Sequence, residues 1–482
     1  MAYYHGVKAS EVATSILSPA QTTAGLPVVI GTAPVHMAKA EDSAGVNKPV
    51  LCYSFAEAKA ALGYSENWQT FTLCEAMFAE FQLYAVSPVV FINVFDPTVH
   101  KTAVAASAKD VTDHVVTLTD PVILSSLVVK ATSDGEAAEE DTDYVAAYDS
   151  DGNVVITLIQ GGALYNLTQI YCAYDKADIS KVDDDDIIGG VDSEGNETGL
   201  ELLGKIRSIT GMVPGLLLAP GWSEHPEVAA VMRAKASAIE GIFKCSSLTD
   251  INTVQVKKYS GCYQWKQGNA YTGVDEVVCW PMVKMGEKIY HMSTHIMGII
   301  GVMDNANGDV PYQSPSNLSM QITGCCLADG TEINLSHDQA DLLNSQGIMT
   351  ALNFSGGWKS WGNYTGCYPG NTDVKDSFIC VRRWFNWWRQ TFILTYWQKV
   401  DQPLNKRLIK TLIDSEQVRL NGYVSRGFLL AGEILFLEDE NPVTDLLNGI
   451  IRVHTFMTPP VPAQQIEDIM EYDVNGLNAL FE

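Results

Sequence analysis

Two groups of residues in this sequence have types and spacings that chemistry could use. Gly221-Trp-Ser223-Glu-His225 follows an apolar run at residues 215–219 and precedes a helical pattern. A hydrolase of the α/β type places its nucleophile at such a strand-to-helix turn, which would make Ser223 the nucleophile and His225 its base. The second glycine of that motif is absent, so the tight turn that presents the serine would be strained. His291 and His295 stand four apart, which sets two imidazoles on one helical face. The intervening Met-Ser-Thr lacks the glutamate that zinc proteases use as general base, and ordinary packing is the preferred reading. The run Asp183 to Asp186 lacks the alternating ligands and central glycine of a calcium loop and reads as a solvated charge run. No GxxxxGK[ST] or GxGxxG occurs to cradle a phosphate. The sequence therefore implies no cofactor and no metal, and an α/β hydrolase-like enzyme using Ser223 and His225 is the alternative reading.

The elements around these residues alternate between strand and helix. Residues 26–31 and 50–53 are short β-branched runs, and residues 55–62 form a helical pattern. A helix is predicted over 72–83, with Leu73, Met77, Phe78 and Phe81 on one face, followed by a strand at 89–95. This is an α/β pattern. After Pro97 the texture changes to strand-like pieces at 114–118, 127–131, 143–148 and 154–159, separated by turns such as Asp134-Gly135. They predict a small all-β domain inserted into the α/β one, ending in an exposed acidic linker at 182–196. Helix and strand texture then returns at 199–208, 215–219, 225–243 and 277–282. From Ser355 the chain is rich in Gly and Trp, then carries two long helical patterns at 376–399 and 404–421, strands at 424–437 and 449–457, and a Pro-rich break. Trp384, Trp388 and Arg389 share one helical stripe, which predicts a large buried contact.

With 482 residues the chain is long enough for several domains, and 46% apolar against 18% charged residues is a globular balance. The ten cysteines include no CxxC pair and read as reduced, buried thiols. No basic and then apolar leader opens the sequence, and no apolar run approaches the roughly 20 residues that span a bilayer. The expectation is a soluble protein made in the cytoplasm. The formal net charge of −26 argues against nucleic acid as a partner. Residues 96–201 hold 22 acidic and 5 basic side chains, a balance of 5 − 22 = −17. Residues 375–426 hold 10 basic and 4 acidic ones, a balance of 10 − 4 = +6. The two readings of that basic segment are an ordinary helical surface and a face steered toward an acidic partner.

Several segments together resemble the contractile tail sheath family of bacteriophages, R-type bacteriocins and related injection systems. HGVKASEVATS resembles the family's opening arm, and LPVVIGTAP its first core strand and turn. PVLCYSFAEAKAALG is similar to its strand-helix segment, and GLLLAPGWSEHPEVAAVMRAKA to its central strand, turn and helix. HIMGIIGVMDNANGDVPYQSPSN resembles the end of the core, and LLNSQGIMTALNFSGGWKSWGNYT with SFICVRRWFNWW the start of the C-terminal domain. The resemblance covers most of the chain outside residues 97–200.

The resemblance implies a structural subunit, not an enzyme, with an α/β (α+β) multidomain fold. Residues 21–96 and 202–354 would form the α/β core, 97–201 an outward-facing all-β insertion, and 355–462 a C-terminal α+β domain that faces the tube. Residues 1–20 and 463–482 would be extended arms linking subunits, through Val7, Ser10, Glu11 and Val12 at one end and Ile469, Met470, Tyr472 and Val474 at the other. Lys406, Arg407, Lys410 and Arg419 would approach an acidic tube. The implied partners are further copies in hexameric rings, a tail tube protein, and baseplate and tail-terminator proteins, with no membrane insertion. The implied location is a phage tail or phage-tail-like particle assembled in the host cytoplasm. A surface adhesion protein acting through the acidic insertion is a third reading.

Overall fold

The computed structural model describes residues 24–38, 45–149 and 152–480. Its centre is an eight-stranded sheet built from β1 (Pro27–Gly31), β2 (Pro49–Cys52), β3 (Val89–Asn93), β4 (Leu216–Leu218), β5 (Ser246–Asp250), β6 (Glu276–Cys279), β7 (Ile348–Phe354) and β8 (Gly357–Trp361). The spatial order is β8-β7-β6-β5-β4-β1-β3-β2. The six inner strands, from β7 to β3, are parallel, while β8 and β2 pair antiparallel at the edges. Strands β1, β3, β4, β5 and β6 are buried along their whole length, as a parallel sheet covered on both faces requires.

Short sequence signals explain several of the covering helices. α1 (Phe55–Leu62) starts at Ser54, whose hydroxyl accepts the Glu57 N–H, while the Glu57 carboxylate accepts the Tyr53 N–H at 2.7 Å; Gly63 ends the helix at φ 74°. α2 (Thr72–Phe78) runs into a π-helical turn at Ala79–Leu83, so the predicted span is filled by two hydrogen-bonding patterns. α3 (Pro226–Ser237) has Pro at its first position and stops earlier than residue 243. α4 (Met292–Ala306) is the central helix, buried nearly all round. Its Gly298 and Gly301 are close-packing positions: a Cβ on Gly298 would lie 2.3 Å from the Tyr84 ring, and one on Gly301 2.7 Å from Val86.

The insertion consists of two three-stranded antiparallel sheets, Lys101–Asp110, Gln169–Ala177 and Val128–Lys130 in one, Val115–Leu118, Val154–Leu158 and Tyr144–Tyr148 in the other. They share a separate apolar core that includes Val116, Leu118, Ile156, Ile170 and Tyr174. The first part of the segment expected as an exposed linker is instead docked, while residues 191–196 are exposed as expected. Asp183 caps the short helix Asp184–Ile188 through a capping box with Asp186, Ile187 is fully buried, and Asp184 lies 2.6 Å from His225. Burying Ile187 against the core outweighs leaving the segment free in water.

The C-terminal unit is a helical pair, α5 (Ile379–Tyr396) and α6 (Lys406–Ser425), with a two-stranded sheet, Ala431–Leu435 and His454–Thr458. Both strands are shorter than predicted, and the first starts later because α6 continues through Ser425. The edge hairpin of β7 and β8 carries the core sheet through Trp361, past the expected junction at 354/355. Trp384, Trp387 and Trp388 are buried together around Tyr423, with ring centroids 5.5, 5.4 and 6.3 Å from it. Arg389 is exposed, and Trp387 takes the place on the buried stripe that the sequence reading gave it.

Candidate assembly surfaces

The chain after β1 moves to one side of the sheet and from β4 onward to the other. Such a switch opens a crevice at the carboxyl ends of the strands, where α/β enzymes bind their ligands. A cavity of about 570 Å³ lies there, lined by Thr72, Glu75, Gly221, Trp222, Glu224 and His291 among others. Ser223 is fully buried; its hydroxyl accepts the Asp250 N–H at 3.2 Å and lies 3.4 Å from the Asp250 carboxylate. His225 turns the other way, to Asp184. The structure therefore places the two residues of the hydrolase reading beside each other in sequence and gives them different partners.

His291 and His295 also diverge. His291 precedes α4, and the Glu75 carboxylate receives its backbone N–H at 2.8 Å, its Nδ1 at 2.8 Å and the Thr294 hydroxyl at 2.8 Å. Burial alone would lower the His291 pKa; the charge of Glu75, helped by Asp250 and Glu224, overrides it and holds the group at about 10. His295 Nδ1 lies 2.8 Å from the Tyr84 hydroxyl, and burial pushes its pKa down to about 3. One imidazole is charged and the other neutral, so the pair acts as two packing devices. Among the described residues no group of three or more His, Cys, Asp or Glu side chains is arranged to hold a metal, and no helix is long and apolar enough to cross a membrane. All ten cysteines are free and buried.

The surfaces of the C-terminal unit are different in character. Lys406, Arg407 and Lys410 are exposed on the first turns of α6. Arg419 is corrected: it is only 9% exposed, pairs with Glu416 at 2.7 Å and stacks over Trp388 at 3.8 Å from the ring centroid. Leu412, Glu416, Arg419 and Tyr423 follow one another at helical spacing on the face that meets α5, and that spacing was the available sequence signal. Arg419 is thus interior, with no free face toward a partner.

The two-stranded sheet is incomplete as a free-standing element, since isolated pairs are marginal in water. One of its edges is already occupied. The Gln417 side chain donates to the Gly432 carbonyl at 3.1 Å and accepts the Ile434 N–H at 3.1 Å, as a neighbouring strand would. The other edge, along His454–Thr458, has no paired strand among the described residues. Beyond it, residues 459–473 have no regular structure, and Tyr364 donates to Gln464 at 2.8 Å. Ile466, Ile469, Met470 and Tyr472 in this stretch are 90%, 85%, 86% and 74% exposed. The arm residues Val7, Ser10, Glu11 and Val12 lie outside the described residues.

The joint between this unit and the core is polar and buried. Arg383 pairs with Asp304 of α4 and donates to the Ala24 carbonyl at 3.4 Å. Arg382 lies 3.0 Å from Asp275 and 3.1 Å from Asp376, and Gln390 donates to the carbonyls of Pro214 and Lys244.

No family model matches the chain. Its sequence is 28% identical over 481 residues to the tail sheath protein of Burkholderia phage BcepMu, covering 96% of this chain and 95% of that protein. The tail sheath protein of Escherichia phage P2 is 23% identical over 281 residues, 58% of this chain and 68% of that one. Among solved structures, the helical sheath of the anti-feeding prophage in its contracted state aligns with a TM-score of 0.59 at 15% identity, covering 97% of this chain and 99% of the other. That likeness supports the mixed α/β plan with several sheets. The curated relatives are structural sheath proteins, and the hydrolase reading is set aside.

Proposed function

We propose, on the premise that this chain is a member of the contractile tail sheath family, that it polymerises as stacked hexameric rings around a tail tube and contracts to drive the tube through a target cell envelope. The observation that carries this reading is the presence, in one chain, of an unfilled sheet edge and an irregular tail that exposes large apolar side chains. A tail from one copy that adds to the His454–Thr458 edge of the next would supply backbone hydrogen bonds and cover apolar side chains. Such a contact is heterologous, so it generates open helical assemblies instead of closed dimers. Residues 1–20 would provide a second link of the same kind.

Contraction in this scheme needs no nucleotide. The extended lattice is kinetically trapped, and a baseplate signal releases it to a lattice with better contacts. Many subunits move together, so each contributes only a small difference in free energy. Lys406, Arg407 and Lys410 face the tube, the acidic insertion 97–201 faces outward, and baseplate and terminator proteins close the two ends. The particle is a phage tail or a phage-tail-like device, assembled in the host cytoplasm.

Negative-stain electron microscopy tests the reading. Intact protein is expected to form striated tubes or stacked rings, lost when residues 1–20 or 463–482 are removed. Monodisperse intact protein, or truncated chains that still polymerise, would overturn it.

A further inference from the structure

Three of the chain's nine histidines stand where the insertion joins the core: His36, His100 and His225. Two of them meet carboxylates of the short helix Asp184–Ile188. His225 lies 2.6 Å from Asp184, and His100 Nε2 lies 3.5 Å from Asp186. His36 has no such partner. Its ring packs among Phe71 before α2, Phe95 after β3 and Tyr148 of the insertion, with ring centroids 6.0, 5.8 and 6.3 Å away. Both of its ring nitrogens are buried, and neither has a hydrogen-bond partner among the described residues.

The joint around this ring is closely fitted. The Tyr148 hydroxyl donates to the Val122 carbonyl at 2.7 Å, accepts the Leu124 N–H at 3.1 Å and lies 3.3 Å from the His36 carbonyl, so the phenol is fixed against the turn that carries His36. A Cβ on Gly152 of the insertion would lie 2.8 Å from Met37 Cε. In this cage a neutral imidazole leaves one N–H unpaired. An imidazolium would leave two, together with a charge that no carboxylate meets. Burial therefore holds the His36 pKa down at about 4. The titratable groups beside it are Tyr148, pushed up to about 12 by burial, and His100 on the far side of Phe95, and neither supplies a negative charge.

We propose that His36 is an acid-sensitive latch between the insertion and the core: neutral, its ring stays among Phe71, Phe95 and Tyr148, and protonated, it leaves them and frees the insertion to move. The pKa of the docked ring lies below the 6.5 of a free imidazole, so the docking that His36 supports is fully present above pH 6.5 and is lost as pH falls toward 4. Each pKa unit is a factor of ten, so by about pH 4 the ratio of released to docked insertion rises on the order of a hundredfold. A proton gained by His100 or His225 meets a carboxylate and tightens the joint, which leaves His36 as the loosening group.

Spin labels at Ala60→Cys in α1 and Asp134→Cys in the insertion, both exposed positions, read the distance between the two units in full-length protein, whose own ten cysteines are buried. Labelled chains are diluted into unlabelled ones, so that only distances within one chain are read. The chain with His36 is expected to give one narrow distance near pH 7 and a growing second, broad population toward about pH 4. His36→Phe keeps a ring and has no proton to gain, and is expected to stay narrow throughout. His36→Arg carries its charge at every pH and is expected to show the broad population already near pH 7. A His36→Phe chain that broadens with acid as the His36 chain does would overturn the assignment to His36. A His36 chain that stays narrow at about pH 4, or a folded His36→Arg chain that is narrow near pH 7, would overturn the latch itself. Loss of far-ultraviolet circular dichroism in step with the broadening would mean global unfolding in place of release, and would refute the proposal as well.

Discussion

Replacing Asp304 by alanine tests whether the helical unit is held on the core by a buried charge. Arg383 and Asp304 have side chains 3% and 2% exposed, and the carboxylate meets the guanidinium at both Nη1 and Nη2. With Asp304 gone, the polar partner that remains for Arg383 among the described residues is the Ala24 carbonyl at 3.4 Å, a weak bond. An uncompensated guanidinium in a buried joint destabilises by about 3–5 kcal/mol, because its desolvation is no longer offset. Removing both charges, as in Asp304→Ala with Arg383→Met, removes that penalty and should recover most of the loss. Urea unfolding followed by tryptophan fluorescence reads the effect directly, since Trp384, Trp387 and Trp388 lie buried on the same helix as Arg383. A loss below about 1 kcal/mol in Asp304→Ala, or a double variant as unstable as the single one, would refute the account of the joint as a buried, mutually dependent pair.

Two further outcomes follow from the core. The His291 pKa of about 10 exceeds the value of 6.5 for a free imidazole, so its contribution is fully present below pH 6.5 and is lost as pH rises toward 10. At about 1.4 kcal/mol per unit the loss is on the order of 5 kcal/mol, and melting temperatures measured across that window should show it, with Glu75→Gln flattening the profile; an unchanged slope would count against the pair. Gly298→Ala should lower the melting temperature although alanine favours helix by about 1 kcal/mol, because the new methyl overlaps the Tyr84 ring; a rise would show that α4 and Tyr84 can separate freely.

Where signals were local, the sequence was sufficient. Ser54, Glu57 and Gly63 bracket α1, and β-branched runs mark β1 and β3, because caps and continuous apolar strands act over a few residues. β5 was not legible: Ser246, Ser247, Thr249 and Asp250 read as polar, and only the fold supplies their partners, Thr249 to Glu276 and Asp250 to Ser293. α4 was not picked out as a helix, since a glycine that breaks an isolated helix and one that lets a side chain approach look alike in one dimension.

The candidate surfaces divide in the same way. Composition alone located the basic segment and the acidic insertion, because net charge needs no neighbours to be read. Which cations remain free was decided by tertiary structure: Arg419 turns inward onto Trp388, and Lys406, Arg407 and Lys410 do not. The edge left for strand addition was likewise decided in three dimensions, when α6 brought Gln417 against one strand of the hairpin and not the other. Backbone hydrogen bonds and buried charges are satisfied by whatever the fold brings near, and residue type by itself carries no record of that neighbour.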